Sequence, residues 1–502
     1  MSFKNKLMSK IPASYILHKT SNKKEAMEII KGYRAIRKNN LFDDEFYLNK
    51  YPKVKASGMD PLLHYIFFGF KEGKKPNKDF DGVFYKHHYG DVDINPLIHY
   101  GLYGIKQNRQ IKVANEDLTS FNNTVKVNIL FVLHEKIGTI GGTGFTNLDI
   151  INSLDEKFQA FILTSDGEDV ELWMQDSKLE KIANFNYHPE EYEFLDSKLA
   201  SIYDEILSKL SIKIIHINHL INHSFDLIEI ANKKDIPYLT NIHDFYYICP
   251  SIHLIDENYS YCEFVCEGCR YENILKNWQK HCFKLLNNAY LNIVPSISTM
   301  ELYKSVYPDL TNFKLIEHGR NIKKTNINPT LSKNPIKIAV PGHISQHKGS
   351  LLIKKIKELD KNNDLELHFM GTTIPNLNIY GINHGRYKRD DFNKLVSEIN
   401  PSFIAILSTC PETFSHTLTE SWGAGIPVIA TNLGALKERV NKTNGGWLVD
   451  YSNPQKIHDT ILSIDKTDYV EKLQNISKIN FKSLKQMTSQ YNQIYGEIAN
   501  EL

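Results

Sequence analysis

Residues 127–133 read VNILFVL. An unbroken apolar run of this length marks a strand covered on both faces, as in a parallel sheet. Similar runs follow at 158–165 (FQAFILTS), 212–218 (IKIIHIN), 236–242 (IPYLTNI), 289–296 (AYLNIVPS) and 313–319 (FKLIEHG). Helical patterns separate most of them, as at 196–210 (DSKLASIYDEILSKL). A polar stretch at 322–335 (IKKTNINPTLSKNP) interrupts the texture, which then restarts. The second series is 336–342 (IKIAVPG), 365–371 (LELHFMG), 403–409 (FIAILST), 426–432 (IPVIATN) and 445–450 (GGWLVD). Strand alternating with helix predicts an α/β protein with two parallel-sheet units. Ligands of such sheets bind beyond the carboxyl ends of the strands.

Upstream the texture is different. Residues 42–77 (FDDEFYLNKYPKVKASGMDPLLHYIFFGFKEGKKPN) and 80–109 (FDGVFYKHHYGDVDINPLIHYGLYGIKQNR) are two copies of one pattern. Phe42-Asp43 matches Phe80-Asp81, and Phe46-Tyr47 matches Phe84-Tyr85. Pro61-Leu62 with His64-Tyr65 matches Pro96-Leu97 with His99-Tyr100, and Gly69 matches Gly104. Each copy reads as two short helices around a Pro/Gly turn, and two copies pair their aromatic faces into a small helical module. Their His and Tyr residues read as packing. Residues 110–124 are polar and aperiodic, as a linker is. The expected organisation is a basic leader (1–40), the repeats (41–112), a first α/β unit (125–322), a second (335–480) and a C-terminal helix (481–502).

Bulk composition excludes several classes. A chain of 502 residues divides its core among domains. With 41% hydrophobic and 24% charged residues it has the make-up of a soluble globular protein. No apolar run reaches the roughly 18 residues of a spanning helix, and no secretory leader is visible, so a cytoplasmic location is expected. Sixty Lys and Arg against 58 Asp and Glu argue against a nucleic-acid partner. Within 1–40, however, ten Lys/Arg face two acids. This leader is either a solvated helix face or a contact with the anionic inner face of a membrane.

Three segments carry chemistry. Gly141-Gly142-Thr143-Gly144 follows the first strand and precedes a helical stretch. Glycines there let the backbone approach a phosphate at a helix N-terminus, although an ordinary turn would look the same. It is not a full G-x-G-x-x-G, and no nicotinamide cofactor is expected. In the second segment, PGHISQHKG (341–349), Gly342 opens the turn and Lys348 precedes a helix at 350–360. A lysine there can meet a diphosphate as a point charge, or simply face solvent from a βα loop. The third is STCPETFSHTLTESWGAGIP (408–427), with Glu412 and Glu420 seven residues apart. Small and hydroxyl residues at a helix start offer N–H groups to an anion. Two carboxylates there can accept hydrogen bonds from neutral hydroxyls, such as those of sugar or ribose, although this spacing alone also arises by chance.

Together, from about 127 to 480, these segments and the trailing GIPVIATNLGALKERV (425–440) resemble the retaining GT-B glycosyltransferases of family 4. The repeats resemble those beside catalytic domains in some bacterial glycosyltransferases. The resemblance implies two facing Rossmann-like domains and transfer from a UDP- or GDP-sugar to a glycan or lipid-linked acceptor. It implies retention of configuration, no required metal, and a setting in cell-surface polysaccharide assembly. It also implies roles. Glu420 would bind ribose, Glu412 would lie by the transferred sugar, and Lys348 would neutralise the diphosphate. The backbone of Ser415, His416, Thr417 and Leu418 would cradle that diphosphate, with Gly342 and the Gly142-Thr143 loop beside the donor. His243, in NIHD (241–244), would stand near the donor sugar. One position departs from the pattern: His343 stands where the family carries Arg. The fixed charge and fork of a guanidinium are absent there, leaving His347 or Arg320 as substitutes.

Five of six cysteines, Cys249, Cys262, Cys266, Cys269 and Cys282, fall in one stretch. C-x12-C-x3-C-x2-C has the number of thiolates for a structural zinc, though not the spacing of a standard finger; reduced structural thiols are the alternative. Asp91-Val92-Asp93 has the D-x-D form but lies in a repeat, so no metal is expected there. A sugar-nucleotide epimerase and a non-catalytic sugar-binding scaffold are the competing functions on the same fold.

Overall fold

A computed structural model describes residues 13–20, 22–113, 117–122, 125–135, 137, 142–167, 169–187, 194–324, 327, 329–332 and 335–502. Its strands are β1 (Val127–Leu133), β2 (Phe158–Ser165), β3 (Val170–Gln175), β4 (Leu179–Asn184), β5 (Ile214–Ile217), β6 (Tyr238–Asn241) and β7 (Leu291–Val294). They continue with β8 (Phe313–Leu315), β9 (Ile336–Ile344), β10 (Leu365–Thr373), β11 (Ile382–Asn383), β12 (Phe403–Ile406), β13 (Val428–Thr431) and β14 (Gly446–Val449). They fall into two sheets, of order β4-β3-β2-β1-β5-β6-β7-β8 and β11-β10-β9-β12-β13-β14. The chain divides into two compact units, residues 1–215 with 220–236, and residues 216–219 with 237–502. Among the described residues, no helix is long and apolar enough to cross a membrane.

In the first unit the repeat motif has a physical meaning. Asp43 and Asp81 cap their helices, accepting from Phe46 N and from Val83 N and Phe84 N. Asp60 and Asn95 cap the next helices, where Pro61 and Pro96 take the first position. Tyr47 Oη meets His64 Nδ1, and Tyr85 Oη meets His99 Nδ1, each at 3.0 Å. A Cβ on Gly69 would lie 2.1 Å from the Tyr47 hydroxyl oxygen, and one on Gly104 2.3 Å from that of Tyr85. The invariant glycines of the repeat are therefore room for the tyrosine hydroxyls. The shorter copy lacks a counterpart of helix Pro52–Ser57, so the first copy has one helix more than the two expected.

The hairpin β3–β4 is also unexpected from the sequence. It pairs antiparallel with β2, whereas β1 and β2 run parallel. Charged residues hid it, and those charges are inside. Lys181, with a fully buried side chain, bridges Asp81 of the repeats and Glu171, the latter at 2.7 Å. Its ammonium also lies 4.9 Å from the centre of the Trp173 ring. Lys75 pairs with Asp169, and His88 Nδ1 with Glu180 at 3.0 Å. The hairpin is the seat on which the helical module is fixed.

In the second unit β6, β7 and β8 run parallel, and so do all neighbours of the six-stranded sheet. Two clusters cover the faces of that sheet, one around Ile338, Val340, Phe369 and Phe403, the other around Ala339, Ile404, Leu418, Trp422 and Val428. Neighbouring residues along β9 thus face opposite cores, which explains the continuous apolar runs. The last helix, Leu484–Glu501, begins in a Ser483/Gln486 capping box. Tyr491 donates to Asn241 Oδ1 at 2.9 Å, and Tyr495 Oη meets His216 Nδ1 at 2.7 Å, tying this helix to the start of the unit.

Candidate functional site

The site residues of the second unit gather beyond the carboxyl ends of β9, β12 and β13. There the backbone is shaped for close approach. Gly342 has φ +105° at the end of β9, and Gly371 has φ +133° beside it. A Cβ on Gly371 would lie 2.0 Å from the Gly342 carbonyl oxygen. Gly349 (φ +84°) would drive a Cβ to 2.0 Å from Leu407 O, so only glycine brings the Lys348 turn against the end of β12.

Lys348 Nζ reaches Glu412 Oε1 at 2.8 Å. The same oxygen accepts from Ser408 Oγ. Burial opposes ionisation of Glu412, but Lys348 and the hydroxyls of Ser408 and Ser415 outweigh it and hold the carboxyl at about 2. Gly434 supports the same residue from behind. Ala435 N donates to Glu412 O at 2.8 Å, and a Cβ on Gly434 would lie 2.7 Å from that oxygen.

Helix His416–Gly423 follows. Its N-cap, Ser415, has φ +69°, an unusual conformation for a residue with a Cβ. Ser415 Oγ meets Thr417 Oγ1 at 3.0 Å. Arg439 fixes this bend. Its Nη1 donates to Phe414 O and Ser415 O, both at 2.9 Å, and its Nη2 to Thr419 Oγ1 at 2.7 Å. The guanidinium also lies 4.0 Å from the centre of the Phe414 ring. Leu418 is buried in the core, leaving the first-turn N–H groups of the helix at the carboxyl edge of the sheet.

Glu420 pairs with Arg320 Nη1 at 2.6 Å. Burial pushes its carboxyl upward, and Arg320 offsets only part of this. His243 is joined to the site through its carbonyl, which accepts from Thr413 Oγ1 at 2.7 Å. Its Nε2 lies 3.5 Å from Asn218 Oδ1, and burial pushes the imidazole down to about 3.

The expected substitutes for a guanidinium at position 343 have protein partners of their own. Arg320 is committed to Glu420. His347 stacks on His253 with ring centres 4.2 Å apart. Burial, His253 and Lys348 push its imidazole down to about 3, so it carries no charge at neutral pH. His343 itself is exposed, with Nδ1 2.5 Å from Thr372 Oγ1.

Gly142 and Thr143 open helix Gly142–Ile151, while Gly141 and the Thr143 side chain lie outside the described residues. Asp91 is taken up by a bidentate pair with Arg109, both contacts at 2.6 Å. The six cysteines are free thiols, and among the described residues no three His, Cys, Asp or Glu side chains converge to hold a metal. The zinc expectation at Cys249, Cys262, Cys266 and Cys269 therefore finds no ligand set here. Sequence reasoning missed Ser408 and Arg439, although Arg439 lies in the 425–440 stretch it singled out.

Residues 336–466 match the family model described as Glycosyl transferases group 1. Over 110 residues the chain is 31% identical to an Escherichia coli (strain K12) protein named "Putative colanic acid biosynthesis glycosyl transferase WcaC". That match takes in 22% of this chain and spans only about a quarter (27%) of the relative. Among solved structures, Anabaena Alr3699/HepE in complex with UDP aligns over 75% of this chain and 100% of its own, with 16% identity and TM-score 0.50. Sucrose-phosphate synthase (tll1590) of Thermosynechococcus elongatus aligns over the same shares, with 14% identity and TM-score 0.52. At such identities the likeness is one of fold: residues 336–466 carry the group 1 glycosyl transferase match, and the two sheets have the fold of the GT-B glycosyltransferases.

Proposed function

We propose that the protein is a retaining, metal-independent hexosyltransferase of family 4. It takes a sugar from UDP or GDP and delivers it to a glycan or lipid-linked acceptor in cell-surface polysaccharide assembly. The observation that carries this reading is the convergence of Lys348, Glu412, the Gly342 backbone and the first turn of helix His416–Gly423 at one edge of the six-stranded sheet. Transfer breaks the bond between the anomeric carbon and the diphosphate, and negative charge builds on the departing oxygen. Lys348 and the N–H groups of Ser415, His416, Thr417 and Leu418 meet that charge, held in position before the reaction begins. Ionised Glu412 accepts sugar hydroxyls, and Glu420, steadied by Arg320, accepts those of ribose. His243 stands by the sugar. The acceptor hydroxyl attacks from the face the diphosphate leaves and gives its proton to the departing diphosphate oxygen, with no protein nucleophile.

UDP in the Anabaena neighbour and the colanic acid setting in the name of the Escherichia coli relative support the donor and pathway class. Following the anomeric proton by NMR during donor solvolysis tests the stereochemistry. An α-linked donor is expected to release the α-sugar first, and the β-sugar first would refute retention. The basic leader, residues 1–40, is proposed to hold the enzyme at the inner membrane face. Flotation of the full chain with anionic vesicles is the expected result, and recovery in the lipid-free fraction rejects this placement.

A further inference from the structure

Three imidazoles stand in a column beside the proposed diphosphate seat. The rings of His243 and His318 lie 6.0 Å apart at 14°, and those of His318 and His416 5.1 Å apart at 20°. Phe414 closes the column edge-on, 4.9 Å from His318 and 5.5 Å from His416. His416 is the first residue of helix His416–Gly423, directly after the bend at Ser415. His318 and His416 share a feature: each buries Nδ1 with no hydrogen-bond partner among the described residues. Both side chains are only half-buried.

That asymmetry selects a tautomer. A neutral imidazole carries one proton, on Nδ1 or Nε2. Nδ1 is unpaired in either form, and a buried, unpaired N–H donor is tolerated less readily than a buried, unpaired acceptor. The proton therefore resides on Nε2, at the opposite edge of each half-buried ring. Burial, then Arg320 and Arg439, hold the His416 imidazole down to about 3. Burial, His416, Arg439 and Lys482 hold that of His318 well below its ordinary value. Both rings are thus neutral N–H donors at physiological pH.

We infer that the Nε2–H groups of His416 and His318 donate to the diphosphate of the nucleotide sugar, supplying in neutral form part of the recognition that a guanidinium at position 343 would supply. The inference rests on the nucleotide-sugar reading above and adds side-chain contacts to the backbone cradle. It gives His318, on the segment after β8, a role in donor recognition. Neutral donors suit this place, because Arg320 and Arg439 already charge the surroundings.

The test is calorimetric titration of UDP, GDP and the corresponding nucleosides into the full chain and its variants. His416→Leu is expected to weaken binding of the preferred diphosphate about 10- to 100-fold, as loss of a hydrogen bond to a charged group does. Nucleoside binding should be unchanged. His416→Gln, which carries an N–H near the same place, should recover most of the loss. His318→Phe keeps the stack and removes the N–H, so it should also weaken the diphosphate selectively. Wild-type diphosphate affinity in both His416→Leu and His318→Phe would overturn the inference, as would equal losses for nucleoside and diphosphate. If the unaltered chain binds neither UDP nor GDP, the nucleotide-sugar reading itself fails, and the inference with it.

Discussion

Replacing Lys348 by Met removes the cation nearest Glu412 and leaves that carboxylate, whose side chain is 9% exposed, with hydroxyl partners only. In the folded chain the Glu412 carboxyl sits at about 2, against an ordinary 4.5. That difference is worth roughly 3 kcal/mol in favour of the ionised form. The folded value is the lower one, so the contribution is fully present at neutral pH and is lost as pH falls from about 4.5 towards 2. Lys348 is 43% exposed, which screens its share, and Ser408 and Ser415 supply another part. A coupling of about 1–2 kcal/mol between Lys348 and Glu412 is therefore expected. A double-mutant cycle of Lys348→Met, Glu412→Gln and the double variant, read by urea unfolding at pH 7, measures it. In the single Lys348 variant, NMR of the labelled Glu412 carboxyl should show protonation at or above 4.5, because burial is then opposed by hydroxyls alone. A coupling near zero together with an unmoved Glu412 titration would refute the electrostatic argument.

Other expectations concern the supports of the site. Arg439→Met strips partners from two backbone carbonyls and Thr419, and should cost about 2–4 kcal/mol in thermal unfolding. Arg439→Lys should not restore it, since a single ammonium cannot reproduce the fork. In Gly434→Ala the new Cβ meets the Glu412 backbone at 2.7 and 2.9 Å from a residue with φ +48°. A loss of about 1–3 kcal/mol is expected, with donor turnover measured by nucleotide release falling by an order of magnitude or more. Tyr85→Phe leaves His99 Nδ1 without its partner and should cost about 1–2 kcal/mol, while nucleotide release stays at the wild-type rate.

Much of the fold was legible because buried parallel strands announce themselves as apolar runs. Residues 127–133 and 158–165 form β1 and β2 residue for residue. The β3–β4 hairpin was not legible. Glu171 and Lys181 interrupt its apolar pattern, and they are buried because they pair with each other and with Asp81 of a distant repeat. The site divides in the same way. Glu412, Glu420 and Lys348 could be found because a loop and a helix start set their spacing. Arg320 and Arg439 act across long sequence separations, and no local pattern marks a guanidinium that will bond the carbonyls of Phe414 and Ser415. The orphaned Nδ1 atoms of His318 and His416 are likewise a property of packing, invisible in residue order.

The most direct test of the account is release of nucleoside diphosphate from a panel of UDP-, GDP- and dTDP-sugars by the purified chain. Release from a UDP- or GDP-sugar is expected, with its loss in both Glu412→Ala and Lys348→Ala. Release that persists unchanged in both variants, or a chain that neither releases nor binds any nucleoside diphosphate, would contradict it.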